Sequence, residues 1–197
     1  MKEVVVAAIK RGEVAILPLE HGYVYACDAF SLSAVNRLHQ LRNDPPGIAA
    51  QVIISSAAVL DGITQGLTIE VKELAAAFWP GLLTLQLLQN QSLNWDLGDG
   101  GSLREFAVRV PNQSETLEIA KETGPLAIAS ATTAGNGPVA KISNVHDLAA
   151  LDIGEIPTGP LSSVVALESG KLAVIRVGAL TLEELRKVVS AIELASE

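Results

Sequence analysis

One cysteine in 197 residues excludes an intrachain disulfide and a cysteine cage for zinc, and a lone thiol suits the reducing cytoplasm. The plain reading of Cys27 is a small buried apolar side chain. Aromatic side chains make up only 4% of the chain, so Leu, Val, Ile and Ala must fill the interior. The three histidines, His21, His39 and His146, lack HxH or HExxH spacing, so no metal site is expected. His39 and His146 fall in helical patterns and read as surface residues; His21 is open between surface and site. No stretch comes near the roughly 18 uninterrupted apolar residues of a membrane span, and Met1-Lys2-Glu3 ahead of a short Val/Ala/Ile run is neither a signal nor a transit peptide. Walker A, G-x-S-x-G and G-x-G-x-x-G are missing too, and Ser130 has no evident His and Asp partners, which removes support for covalent hydrolase chemistry. Lys and Arg number 14 against 22 Asp and Glu, a formal net charge of -8. That argues against a protein that coats nucleic acid non-specifically and leaves RNA only a local basic cleft.

What is present is core material. Hydrophobic residues are 49% and charged residues 18%, enough for one packed domain over 1–197, with no repeats or low-complexity tracts. The chain is organised around residues 124–137. Leu126 to Ala129 has no polar face, which suits a strand covered on both sides, and Ser130, Thr132 and Thr133 stand at its carboxyl end before Gly135-Asn136-Gly137. In an open α/β sheet ligands sit at that end, where hydroxyls and free N–H groups suit an anion; an ordinary loop of small residues is the alternative.

Taken in order, Val4, Val5, Ala8 and Ile9 share a helical face that Gly12 ends, and Val14 to Leu17 is a strand closed by Pro18. Glu20, His21, Tyr23, Tyr25, Cys27 and Asp28 then read as a pocket wall. Ser33 caps a helix with Val35, Leu38 and Leu41 inward, stopped by the loop 43–47. Val52 to Ile54 is a second strand, residues 55–66 have short helical potential, and Val71, Leu74, Ala75 and Phe78 mark a helix ended by Pro80-Gly81. Phe78 and Trp79 read as core anchors. Leu82 to Leu88 is a third strand, Asn90 to Glu105 a mobile loop or hairpin tip, Phe106 to Val110 a strand and Ser114 to Glu122 a helix. Asn144 caps a short helix with Val145, Leu148 and Leu151 inward, and 153–160 is a Pro- and Gly-rich loop. Ser163 to Leu167 and Leu172 to Ile175 form a hairpin around Ser169-Gly170, and a capping box at Thr181 opens a last helix carrying Leu182, Leu185, Val188, Val189 and Ile192. The mixture of crossovers and hairpins predicts a single-domain α/β (α+β) fold with a twisted, mixed parallel and antiparallel sheet, flanked by helices around a concave cleft.

Several separated pieces together resemble the YrdC-like family. Phe78-Trp79-Pro80-Gly81-Leu82-Leu83-Thr84 is close to its F-W-P-G-x-L-T. Arg109-Val110-Pro111, Ser130-Ala131, Ser162-Ser163-Val164-Val165 and Ile175-Arg176-Val177-Gly178 follow in the family's order, and Pro18, Glu20 and Tyr23 fit its P-T-[DE]-T-x-Y, with Cys27-Asp28-Ala29 just beyond. The resemblance spans almost the whole chain and implies a lone YrdC-like domain. Its enzymes make threonylcarbamoyl-AMP from threonine, bicarbonate and ATP for tRNA modification, which implies ATP with Mg2+ as cofactor if that activity is retained. It also implies ligand-binding roles for Glu20, His21, Tyr23, Arg42, Thr84, Arg109, Ser130, Thr132 and Arg176.

The departures fall on the chemistry. Where the family has a K-x-R pair, a further Lys and S-x-N to hold the triphosphate, this chain has Arg42, Asp44, Ile48, Ser130 and Thr132. Both threonines of P-T-[DE]-T are replaced, by Leu19 and His21, and the Gly-Leu that follows is Val24-Tyr25. Arg109, inside an apolar strand, is either a buried ion-pair partner or an anion ligand, and Arg176 is either an anion ligand or an exposed strand-end charge. Glu20, Tyr23, Arg42, Arg109, Ser130 and Thr132 are expected to meet on one concave face, with Asp44 close enough to Arg42 or Arg109 to neutralise part of it. The expected function is a divergent protein binding a nucleotide, small anion or RNA element, with weak or no synthesis; retained synthesis is the alternative.

Overall fold

The computed structural model describes residues 1–93, 95–142, 147–168 and 170–195. Among them, α1 (Lys2–Lys10) buries Val5, Val6, Ala8 and Ile9. Val4, expected inward, is 61% exposed, because the apolar stripe is centred one residue further along. The first strand, β1 (Ala15–Leu19), runs through Pro18 instead of stopping at it. Pro18 lies opposite Tyr23 of β2 (Gly22–Asp28), and the Tyr23 N–H points away to the Val139 carbonyl at 2.8 Å. The proline nitrogen thus faces away from β2, toward the side where pairing with β7 (Ala149–Ala150) has stopped at Ile16. Of the segment read as a pocket wall, Glu20, His21 and Tyr23 line the cleft, while Tyr25 and Cys27 belong to a buried strand. Tyr23, Tyr25 and Cys27 pack on one face of the sheet and Val24 and Ala26 on the other.

Helix α2 (Leu32–Arg42) is capped by Ser31, not Ser33, and ends at Asn43 in the left-handed conformation. Then come β3 (Gln51–Ile53), a 3-10 turn at Ala57–Val59, α3 (Leu60–Ile63), α4 (Ile69–Phe78) capped by Thr68, and β4 (Leu83–Leu88). As expected, Trp79 anchors the core: its indole N–H donates to the Leu83 carbonyl at 2.7 Å. The antiparallel partner of β4 is β5 (Glu105–Arg109). Their connection is pinned, since Trp95 and Leu97 are buried and Trp95 packs against both Phe30 and Phe106.

Helix α5 (Ser114–Thr123) leads into β6 (Leu126–Ser130), the organising strand, which is antiparallel to both of its neighbours, β2 and β3. Leu148 to Leu151 contains the short strand β7 in place of the expected helix, while the proposed cap Asn144, Val145 and His146 lie outside the described residues. Strands β8 (Ser163–Glu168) and β9 (Lys171–Arg176) pair as a hairpin; Ser169 of its expected turn is also outside the described residues. The capping box at Thr181 forms, but α6 (Leu182–Arg186) is shorter than its apolar pattern, and Ile192 is buried just before β10 (Glu193–Leu194).

The sheet has the order β10-β9-β8-β4-β5-β3-β6-β2-β1-β7. It is mixed: β1–β7, β3–β5, β4–β8 and β9–β10 are parallel, and the other pairs antiparallel. Helices α1 and α5 cover one face with Val5, Ile9, Ile119 and Ala120, and α2 covers the other with Ala34, Val35 and Leu38. Cys27 is fully buried, and burial, with Asp28 adding to it, pushes its thiol up to about 12, so it stays an inert apolar side chain.

Candidate functional site

A cleft of about 440 Å³ opens over the sheet, within the roughly 300–1,000 Å³ common for small-ligand sites. The β1–β2 turn contributes Glu20 and His21, the end of α2 Arg42, and the following loop Asp44 and Ile48. Gln51 comes from β3, Arg109 from the end of β5, Ser130 from the end of β6, Ser162 from just before β8 and Arg176 from the end of β9.

Its charges are mostly paired. Arg109 grips Glu20 through both terminal nitrogens, Nη1 to Oε1 at 2.7 Å and Nη2 to Oε2 at 3.0 Å, and the Asn112 N–H adds a third bond to Oε1 at 2.7 Å. The two side chains are 7% and 11% exposed. Burial pushes the Glu20 carboxyl up, but the hydrogen bonds and charge of Arg109, with the Asn112 N–H, outweigh it and hold the carboxyl below its ordinary value. Arg109 is thus ion-paired with Glu20 while lining the cleft.

The expected meeting of Asp44 with Arg42 occurs. The Arg42 Nε donates to Asp44 Oδ2 at 2.9 Å and Oδ1 at 3.2 Å, and its Nη1 donates to the carbonyls of Ser130 and Thr132. His39, expected on the surface, is instead drawn inward. Its Nδ1 is 2.9 Å from Asp44 Oδ2 and its Nε2 2.8 Å from the Leu97 carbonyl, so the ring ties Asp44 to the β4–β5 connection.

Arg176 is different. Among the described residues it has no acidic partner; it donates from Nε and Nη2 to the Ser162 carbonyl at 3.1 and 2.9 Å and from Nη2 to the Ser162 hydroxyl at 3.1 Å. It is exposed at the end of β9, and the desolvation it does suffer lowers its pKa from the ordinary value. Behind Ser162 a polar chain continues to Thr84 Oγ1 at 2.8 Å and on to Gln51 Nε2 at 3.1 Å.

Not every residue implied by the resemblance presents a side chain to this space. Thr84 is 2% exposed and lies beneath the cleft. Thr132 takes part through its carbonyl, as a brace for Arg42. Tyr23 lines the cleft, but its hydroxyl is committed elsewhere: it donates toward Gly154 O at 2.7 Å and Asp152 Oδ1 at 3.0 Å and accepts the Ile153 N–H at 2.9 Å. His21 faces the cleft, with its Nδ1 3.3 Å from the Pro157 carbonyl and its ring where a Cβ on Gly159 would stand. The sequence reading missed His39, Gln51 and Ser162 as cleft residues. Ser162 stood in the S-S-V-V piece, one residue from a predicted strand, but nothing in the sequence marked Gln51.

The family model described as Telomere recombination, covering Sua5, YciO and YrdC, matches residues 7–178. A Mycobacterium tuberculosis protein named "Putative threonylcarbamoyl-AMP synthase" is 30% identical over 189 residues, 93% of this chain and 86% of that protein. Pyrococcus abyssi Sua5 complexed with L-threonine superimposes with a TM-score of 0.88 at 26% identity, over 98% of this chain and 58% of its own. Full-length HypF in a phosphate- and nucleotide-bound form shares the fold, with a TM-score of 0.75 at 17% identity over 90% of this chain and 29% of its own. This chain therefore spans little more than half of the archaeal protein. With the fold, the order of its motifs and the family match in agreement, the chain belongs to the YrdC/Sua5 family.

Proposed function

We propose that the cleft binds a nucleotide or another small anion and that synthesis of threonylcarbamoyl-AMP from ATP, threonine and bicarbonate is weak or absent. The observation that carries this reading is the Arg42–Asp44 pair. Where the resemblance puts a second cation for the triphosphate, a carboxylate only 4% exposed is bonded to the remaining one. An acid beside a polyphosphate repels it, by about 1–4 kcal/mol for each charge pair at 4 Å for effective dielectric constants of 80 down to 20. In such a reaction the leaving pyrophosphate must be steadied by cations, so their loss falls on the transition state. The archaeal relative solved in complex with L-threonine supports a small-molecule ligand for this chain. RNA has less support, given a net charge of -8 over the chain.

The test is pyrophosphate release by purified protein given ATP, Mg2+, threonine and bicarbonate. Little or none is expected; turnover near the enzyme median of about 10 per second would overturn the reading. Retained synthesis is the second reading, favoured by 30% identity to a relative named for that activity. Rescue of a strain lacking the synthase would establish it, and failure with well-expressed protein would count against it.

A further inference from the structure

Two carboxylates in the cleft cannot be treated as mobile. Asp44 is held by Arg42 Nε through both oxygens and by His39 Nδ1, and His39 is fixed in turn by the Leu97 carbonyl and by close packing over Gly98. Glu20 is held at two points by Arg109 and at a third by the Asn112 N–H. An incoming anion that turned either acid away would break three hydrogen bonds, at least two of them charge-assisted. Both negative charges therefore stay in the occupied cleft. Three guanidiniums, Arg42, Arg109 and Arg176, against two carboxylates, Glu20 and Asp44, leave a net charge of +1.

We infer that the cleft is matched to a nucleotide carrying a single phosphate and discriminates against a triphosphate. A phosphate monoester carries about -1.5 to -2 at pH 7, within about one charge of the cleft's +1, whereas each further phosphate adds charge and no other cation lines the cleft among the described residues. Among the described cleft residues the cation without an acidic partner is Arg176, backed by the Ser162 hydroxyl. On Arg42, Nη2 is the nitrogen left without a hydrogen-bond partner among the described residues. The inference rests on the reading that the cleft takes nucleotides or small anions, and it narrows that reading to one ligand class.

Calorimetric titration with AMP and with ATP, both with Mg2+ at low ionic strength, tests it. AMP should bind at least as tightly as ATP. The variants Asp44→Asn and Ile48→Lys, which remove a negative charge and add a positive one at the rim, should each improve ATP affinity more than AMP affinity, together by about tenfold. ATP binding about tenfold tighter than AMP by the unaltered protein would overturn the inference and leave the broader reading standing. Failure of both nucleotides to bind would overturn both. If Asp44→Asn does not fold, the Ile48→Lys variant and the AMP-to-ATP ratio of the unaltered protein still decide it, since Ile48 is 44% exposed.

Discussion

Replacing Glu20 by Gln would leave the Arg109 guanidinium buried without its counter-charge. Removing one partner of such a pair costs about 3–5 kcal/mol, and urea denaturation should register a loss of that order. The same pair sets an acid-side pH dependence. The folded Glu20 carboxyl lies below its ordinary value of 4.5, so its contribution is fully present above that value and is lost as pH falls through the folded value. Melting temperature should drop on acidification below about pH 4.5 in the unaltered protein and less steeply in Glu20→Gln; parallel curves would argue against the pair as the source. Tyr23→Phe separates anchoring from binding. It strips a hydroxyl that serves three partners in the segment 152–154, so a loss of about 1–3 kcal/mol is expected, with faster amide exchange at Ile153. Affinity for AMP should change less than about twofold, because the hydroxyl is already bonded to Asp152, Ile153 and Gly154. Glu20 and Arg109 were legible in the sequence as candidate cleft residues, but their pairing across 89 residues was not. Nor was the direction of the Tyr23 hydroxyl, because its partners lie about 130 residues along the chain.

Local grammar explains most of the elements. Thr68 and Thr181 accept hydrogen bonds from the helix residues three positions on, as expected of caps. The failures are those in which a distant partner decides. Leu148 to Leu151 has apolar spacing that suits a turn of helix, yet Ala149 and Ala150 align with β1, and no local signal favours that pairing. The β4–β5 connection reads as loose because Gly98, Gly100 and Gly101 fall within it, but Trp95 and Leu97 bury themselves and Gly98 makes room for the His39 ring. Gly98 has φ +108°, and a Cβ there would collide with that ring and come within 2.8 Å of the Ile48 carbonyl. Gly98→Ala should cost about 1–3 kcal/mol as overpacking, a fall in melting temperature of about 2–4 °C for each kcal/mol. Gly100→Ala, with nothing within 4 Å of its added Cβ, should cost less, and an equal loss in both variants would sink this account of the connection.

At the scale of the molecule, neighbours in the sheet are distant in the chain. Strand β3 pairs with β6 and β4 with β8, so the centre of the sheet is closed by segments more than seventy residues apart. Domains dominated by such pairings fold in about milliseconds to seconds. In stopped-flow refolding, recovery of nucleotide binding should coincide with the slowest phase; binding that returns in an earlier phase would mean a subset of strands suffices. The cleft draws on segments far apart in the chain, from the β1–β2 turn to the end of β9, which supplies Arg176. A nascent chain that has emerged only as far as β6 already carries Glu20, Arg42 and Arg109, each with its partner, but lacks Ser162 and the unpaired guanidinium. Under the proposed function, an occupied cleft therefore requires the chain through the end of β9, and a chain ending at β6 should not hold nucleotide.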